Sequence, residues 1–212
     1  MSPFLALLIA YGSVFLVMGV ATVLDKINLL NDEGSRKFIH IGVSNWWILA
    51  MFLFDSTTYY LAIIPPLTFI GLNYLSYRLN LVKAMERDER SPSDLGTVYY
   101  AMSLSLITLI AFYYDLTYIG ALAILAMGYG DGLSAVIGKA VKSKKLYQNK
   151  SLAGTTTMFV VTLIIGLILF PAFWPLMILI ALLAAVVELL TPRGLDNLSV
   201  PLLIFLIGVL LL

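Results

Sequence analysis

The chain contains no cysteine. Disulfides, thiolate-ligated zinc and thiol nucleophiles are therefore excluded. It contains one histidine, His40, so a multi-histidine metal site within one chain is excluded too. Charge is scarce. Only 12% of residues are Asp, Glu, Lys or Arg, about half the share usual in a soluble domain. No polar segment is long enough to bury a core of its own, so a separate soluble domain is not expected. The net charge of +1 says little about partners, and no nucleic-acid partner is expected. There is no Walker A loop and no GxGxxG, and the spacing gives His40 no serine and carboxylate partners for a hydrolase triad.

Hydrophobicity is what the chain has in abundance. Of 212 residues, 61% are hydrophobic, and the mean hydropathy is +0.98. Apolar runs recur along the whole length, which predicts one all-α, polytopic membrane domain over 1–212. Eight spans are expected, at 4–24, 38–54, 58–75, 95–112, 117–138, 153–170, 173–190 and 198–212. The first lacks a basic leader and a clear cleavage site and reads as a retained span. Pro65-Pro66 should kink or break the third. Gly/Ala faces suit helix pairing within or between chains, so a homo-oligomer is compatible with the sequence.

The basic residues sort by loop. Lys26, Arg36 and Lys37 follow span one; Arg78, Lys83, Arg87 and Arg90 follow span three. Lys139, Lys142, Lys144, Lys145 and Lys150 follow span five, and Arg193 follows span seven. The alternate loops carry Asp55 and Asp115 and no basic residue. The positive-inside rule then places the basic loops in the cytoplasm and both termini on the other side of the inner membrane.

Four clusters on that basic side carry polar chemistry. In RKFIH, Arg36 and His40 are one helical turn apart with Lys37 beside them; the plain reading is a membrane-edge anchor and a packing histidine. In GYGDGLSAVIGK, Asp131 sits inside an apolar run. A carboxylate at bilayer depth costs about 2.5–3.5 kcal/mol on insertion scales, so it needs a partner or a wet cavity. Gly128, Gly130, Gly132, Ala135 and Gly138 would also form a small-residue packing stripe, but packing does not explain the aspartate. A cation-holding carboxylate at a broken or irregular helix does. Lys139 lies eight residues on, about 12 Å along a helix axis. An aspartate for a hard cation and a lysine for phosphates is a pairing that nucleotide chemistry uses.

In NKSLAGT, Lys150 abuts Ser151, Gly154 and Thr155 at the start of span six, where hydroxyls and backbone N–H groups suit phosphate. Lys142, Lys144 and Lys145 read better as headgroup contacts. In ELLTPRGLDNLSVP, Pro192 and Gly194 are turn residues, and Asp196-Asn197 would serve as a cap or as ligands. Glu188 has no basic residue within a turn. Tyr99 and Tyr100, with Asp94, are weaker candidates at the opening of span four, where interfacial tyrosines are expected anyway.

Taken together, R-K-x-x-H (36–40), G-D-G-x-x-A-x-x-x-G-K ending in Lys139, K-S-x-A-G-T (150–155) and Glu188 followed by D-N-x-x-V-P (196–201) resemble the CTP-dependent polyprenol kinase family, which includes dolichol kinase, phytol kinase and the CTP-dependent diacylglycerol kinase of yeast, and which is related to the phosphatidate cytidylyltransferases. The resemblance covers most of the chain. It implies transfer of the γ-phosphate of CTP to a membrane lipid alcohol, with Mg²⁺. Asp131 would hold the metal, and Glu188 and Asp196 would be metal ligands as well, for a second ion, or serve as the general base. Arg36, Lys37, Lys139, Lys150 and Ser151, together with Gly130, Gly132, Gly138, Gly154 and Thr155, would serve nucleotide and phosphates, with His40 a candidate base and Asn197 nearby. The third motif has Ala153 where cytidylyltransferases carry Glu, which tilts the reading to the kinase branch and an isoprenoid alcohol. Two other readings stand beside it: a cytidylyltransferase making a CDP-activated lipid, and a transporter that uses Asp131 and Glu188 as coupling groups.

Overall fold

The computed structural model describes residues 2–30, 32–79, 95–148 and 150–212. Lys83, Arg87, Arg90 and Asp94 lie outside the described residues.

Among the described residues ten α-helices follow one another: α1 (Pro3–Lys26), α2 (Asp32–Ser44), α3 (Trp46–Leu53), α4 (Tyr59–Ala62), α5 (Ile64–Leu79), α6 (Gly96–Tyr113), α7 (Thr117–Ala140), α8 (Leu152–Leu169), α9 (Trp174–Leu190) and α10 (Asp196–Leu211). Among the described residues there is no strand, only an isolated antiparallel bridge between Lys145 and Ser151. Among the described residues five segments are long and apolar enough to cross a membrane: α1, α6, α7, α8 and Pro171–Leu190. The protein is an all-α membrane protein.

Every expected span coincides with helix, but two are divided. The expected span 38–54 breaks at Asn45, whose side-chain amide donates to the Ile41 carbonyl at 2.9 Å and whose Oδ1 accepts from Tyr129 Oη at 3.0 Å. A side chain that bonds the backbone one turn back competes with the helical ladder. The expected span 58–75 divides at Ile63. Pro65 and Pro66 stand in the first turn of α5, where a missing N–H costs nothing. They start that helix and do not kink it.

The core is built around α7. Its face-to-face neighbours are α8, α2 and α10, with α6 and α3 beside them. From Ile119 to Ser134 almost every α7 side chain is buried, the pattern of a helix apolar all round. Asp115, with φ +59°, turns the chain from α6 into α7, and the Leu116 amide donates to the Ala111 carbonyl at 2.7 Å. Trp47 fills the space opposite Gly120, and its Nε1 donates to the Thr117 carbonyl at 3.0 Å. The N-terminal turns of α2, α6, α8 and α10 and the C-terminal turns of α7 and α9 contribute to one polar cavity.

Candidate active site

Asp131 is buried in the middle of an unbroken helix. The irregular helix expected around it is absent, because Gly130 and Gly132 keep helical geometry and serve packing. A Cβ at Gly130 would run into the Met158 side chain of α8, and one at Gly132 would come within 2.5 Å of Ile41 of α2. Neither glycine lines the cavity. Gly138 does, and it also meets Gly154 where α7 crosses α8: a Cβ on Gly138 would stand 3.3 Å from the Gly154 Cα.

The partner that Asp131 requires comes from α2. Lys37 Nζ donates to Asp131 Oδ2 at 2.5 Å, and His40 Nε2 lies 3.7 Å from the same oxygen. Residues 37 and 40 share a helix face, so one turn of α2 presents both groups to α7. The His40 ring packs on Tyr100 of α6, with centroids 4.3 Å apart. His40 Nε2 and Tyr100 Oη are buried with no hydrogen-bond partner among the described residues. Tyr99 lines neither this cavity nor the apolar one beside it.

Lys150 is positioned by the short loop between α7 and α8. The Leu146 amide donates to the Lys150 carbonyl, and the Lys150 amide donates to the Tyr147 carbonyl, both at 2.8 Å. Ser151 then caps α8: its Oγ accepts from the Gly154 amide at 3.2 Å and donates to the Gly138 carbonyl at 3.1 Å. Its hydroxyl is thus engaged in capping and in the helix crossing. Thr155 Oγ1, one turn on, is buried without a partner among the described residues.

The Lys150 ammonium reaches across to α9 and α10. It pairs with Glu188 Oε1 at 2.8 Å and with Asp196 Oδ2 at 3.3 Å, and it donates to the backbone carbonyls of Glu188 and Thr191. Glu188, isolated in sequence, therefore has its cation 38 residues away. Asp196 uses its two oxygens differently. Oδ1 accepts from the amides of Gly194 and Asn197 at 2.9 and 3.1 Å, while Oδ2 faces Lys150. The cap and ligand readings of Asp196 are thus compatible. Gly194, with φ +93°, makes the turn that brings it there. Asn197 Nδ2 donates to the Gly96 carbonyl at 2.9 Å, tying α10 to α6, while its Oδ1 is buried and unpartnered among the described residues.

The consequence is a three-carboxylate cluster. Asp131, Glu188 and Asp196 each offer an oxygen, and these oxygens lie within 4.8 Å of one another. Three buried carboxylates from three helices repel one another strongly at that separation unless cations stand among them. Lys37 and Lys150 supply two positive charges. The donor set is oxygen only, which fits a hard divalent cation such as Mg²⁺.

The cavity around this cluster has a volume of about 270 Å³. Among the described residues, six cations line it, from Arg36 on α2 to Arg193 after α9, together with the three carboxylates. Arginine and lysine side chains gathered in this way suit a polyphosphate. Lys139 lines it. Lys145, expected at lipid headgroups, lines it as well, because the Lys145–Ser151 bridge folds the loop back over α8. Thr97, Ser134 and Arg193 also line it and were not legible as site residues. Only the Pro-Arg-Gly turn beside Asp196 carried a signal for Arg193.

No family model and no solved structure matches the chain. Curated relatives do. The chain is 30% identical over 197 residues to the phytol kinase of Synechocystis sp., an alignment that covers 88% of this chain and 82% of the relative. The chain belongs to the polyprenol/phytol kinase family. Plant members of the family align over similar lengths. Phytol kinase 1 of Arabidopsis thaliana, a chloroplast protein, is 30% identical over 204 residues, covering 84% of this chain and 66% of the relative. A probable chloroplast phytol kinase of Triticum aestivum is 29% identical over 232 residues, covering 97% of this chain and 76% of the relative.

Proposed function

We propose that the protein is a CTP-dependent lipid kinase, transferring the γ-phosphate of CTP to a membrane isoprenoid alcohol such as phytol, geranylgeraniol or a polyprenol. The observation that carries the proposal is the convergence of Asp131, Glu188 and Asp196 with Lys37 and Lys150 in one cavity that further arginine and lysine side chains line. Membership of the polyprenol/phytol kinase family supports the acceptor class. The family resemblance carries the choice of CTP.

In the reaction, the alcohol oxygen attacks the γ-phosphorus. The bond from γ-phosphorus to the β,γ-bridging oxygen breaks, CDP leaves, and the alcohol proton passes to a base. Catalysis of this kind is positioning and charge neutralisation. Lys139, Lys145, Arg36 and Arg193, which line the cavity, would bind phosphate oxygens. Lys150 and Lys37 orient the three carboxylates. Mg²⁺, held by Asp131, Glu188 and Asp196, would neutralise charge on the phosphates. His40 is the candidate base: its buried Nε2 has no hydrogen-bond partner among the described residues and lies 3.7 Å from Asp131 Oδ2.

The proposed setting is an inner membrane with the cavity at the cytoplasmic face. The paired segments α2–α3 and α4–α5 would each make one crossing, giving eight crossings and both termini on the far side. Two observations support this. Asp25 bonds to Ser35, and Asn73 bonds to Thr97, so the C-terminal ends of α1 and α5 join the cavity end. Asp55 and Asp115, in the loops that carry no basic residue, fall between α3 and α4 and between α6 and α7.

The test supplies purified protein with CTP labelled at either the α- or the γ-phosphate, Mg²⁺ and a panel of lipid alcohols. The γ-label should enter the lipid and the α-label should remain in CDP. Lipid labelled from the α-phosphate, with release of pyrophosphate, would instead identify a cytidylyltransferase. No labelled lipid from any acceptor, with no CTP binding, would favour a transporter.

A further inference from the structure

A second cavity of about 70 Å³ opens between α1, α2, α5 and α6. It adjoins the carboxylate site, since Arg36, His40 and Thr97 line both. Its walls are otherwise mainly apolar, and they stand where two helices are interrupted: Trp46 begins α3 after the break at Asn45, and Pro65 and Pro66 open α5. Three of the residues lining this apolar space hold buried polar atoms without a hydrogen-bond partner among the described residues: His40 Nε2, Tyr100 Oη and Trp46 Nε1.

We infer that this cavity receives the hydroxyl-bearing end of the acceptor, a single-chain isoprenoid primary alcohol, and delivers its oxygen to the carboxylate site past His40. The inference rests on the kinase reading above and adds to it a site for the acceptor. A mainly apolar chamber with a few unmet polar atoms matches a molecule with one hydroxyl on a hydrocarbon. The size narrows the choice. The volume is about half of the ~150 Å³ in which an engineered cavity holds benzene. It admits a CH₂–OH group and the first carbons of one chain, with the remainder lying between helices. A glycerolipid head, branched at the carbon next to its CH₂–OH, fits it less well than a single chain. Tyr100 and Trp46 are positioning residues in this scheme, and His40 is the group that meets the hydroxyl.

The experiment has two arms on purified full-length protein. In the first, wild-type protein is photolabelled with a geranylgeraniol analogue carrying a diazirine near the hydroxyl, and the labelled peptides are sequenced. Label should fall within 35–47 and 95–104 and be displaced by phytol. In the second, Ala101→Leu projects a larger side chain into the cavity from its buried position on α6. It should lower kcat/KM for phytol by about tenfold or more, the scale set by a few methylenes in an apolar pocket, with thermal stabilisation by CTP unchanged. Label confined to other segments, or Ala101→Leu phosphorylating phytol as fast as wild type, would overturn the inference. Wild-type protein that phosphorylates no alcohol would instead overturn the kinase reading, and the labelling map would still decide the cavity.

Discussion

Replacing Lys150 by methionine keeps most of the stem and removes the charge. In the structure that charge contacts Glu188 Oε1 at 2.8 Å, Asp196 Oδ2 at 3.3 Å, and two backbone carbonyls. All three side chains are less than a tenth exposed. Solvent therefore does little to screen the pair, and removing one partner strands two carboxylates beside a third, Asp131. Breaking a buried ion pair from one side costs about 3–5 kcal/mol. For chains of roughly 150–250 residues each kcal/mol moves Tm by about 2–4 °C, so Lys150→Met should unfold about 6–20 °C below wild type. Tryptophan fluorescence of detergent-purified protein would follow the transition. The double variant Lys150→Met with Glu188→Gln removes one of the stranded charges and should recover about half of the loss. A single-variant Tm within about 2 °C of wild type, or a double variant no more stable than the single, would refute the claim that Lys150 neutralises a buried carboxylate pair.

Other perturbations follow from the same geometry. Asp131→Asn should lower lipid phosphorylation by about 10²–10³-fold, the scale of losing one preorganised electrostatic group, with expression near normal; turnover within a few-fold of wild type would remove Asp131 from the site. Gly154→Val should destabilise the α7–α8 crossing, because a Cβ there would already stand 3.0 Å from the Ser134 carbonyl and 3.6 Å from the Gly138 Cα. Overpacking of this kind costs about 1–3 kcal/mol, readable in the same thermal assay. Gly96→Val should displace the start of α10, since a Cβ would stand 2.8 Å from Asn197 Nδ2 and 3.3 Å from the Gly194 Cα. Its expected signature is a loss of activity larger than its loss of stability, because Asp196 moves with that turn.

Much of the helical layout was legible because a segment apolar on all sides has few alternatives to a buried or membrane-spanning helix. The breaks at Asn45 and Ile63 were less so. The first depends on Tyr129, 84 residues on, holding the Asn45 amide in place. The aspartate stood out because a charge in an apolar run demands an explanation. Its partners did not, because Lys37 pairs with it over 94 residues of chain. Glu188 was conspicuous for lacking a neighbouring cation, and the lysine that answers it arrives only when α8 packs between α7 and α9. The glycines were ambiguous for a related reason: packing and phosphate approach both require a missing side chain. Only the structure separates Gly130 and Gly132, which face helices, from Gly138, which also faces the cavity.

In the proposed site Asp131, Glu188 and Asp196 would grip one divalent cation beside the nucleotide phosphates. Titration of purified protein with Mn²⁺ as a stand-in for Mg²⁺, with CTP present and binding read by electron paramagnetic resonance, tests it most directly. Wild type should bind a manganese ion, with affinity reduced at least about tenfold in Asp131→Asn and in Glu188→Gln, each variant remaining folded by circular dichroism. Manganese binding of equal strength in wild type and both variants would contradict it.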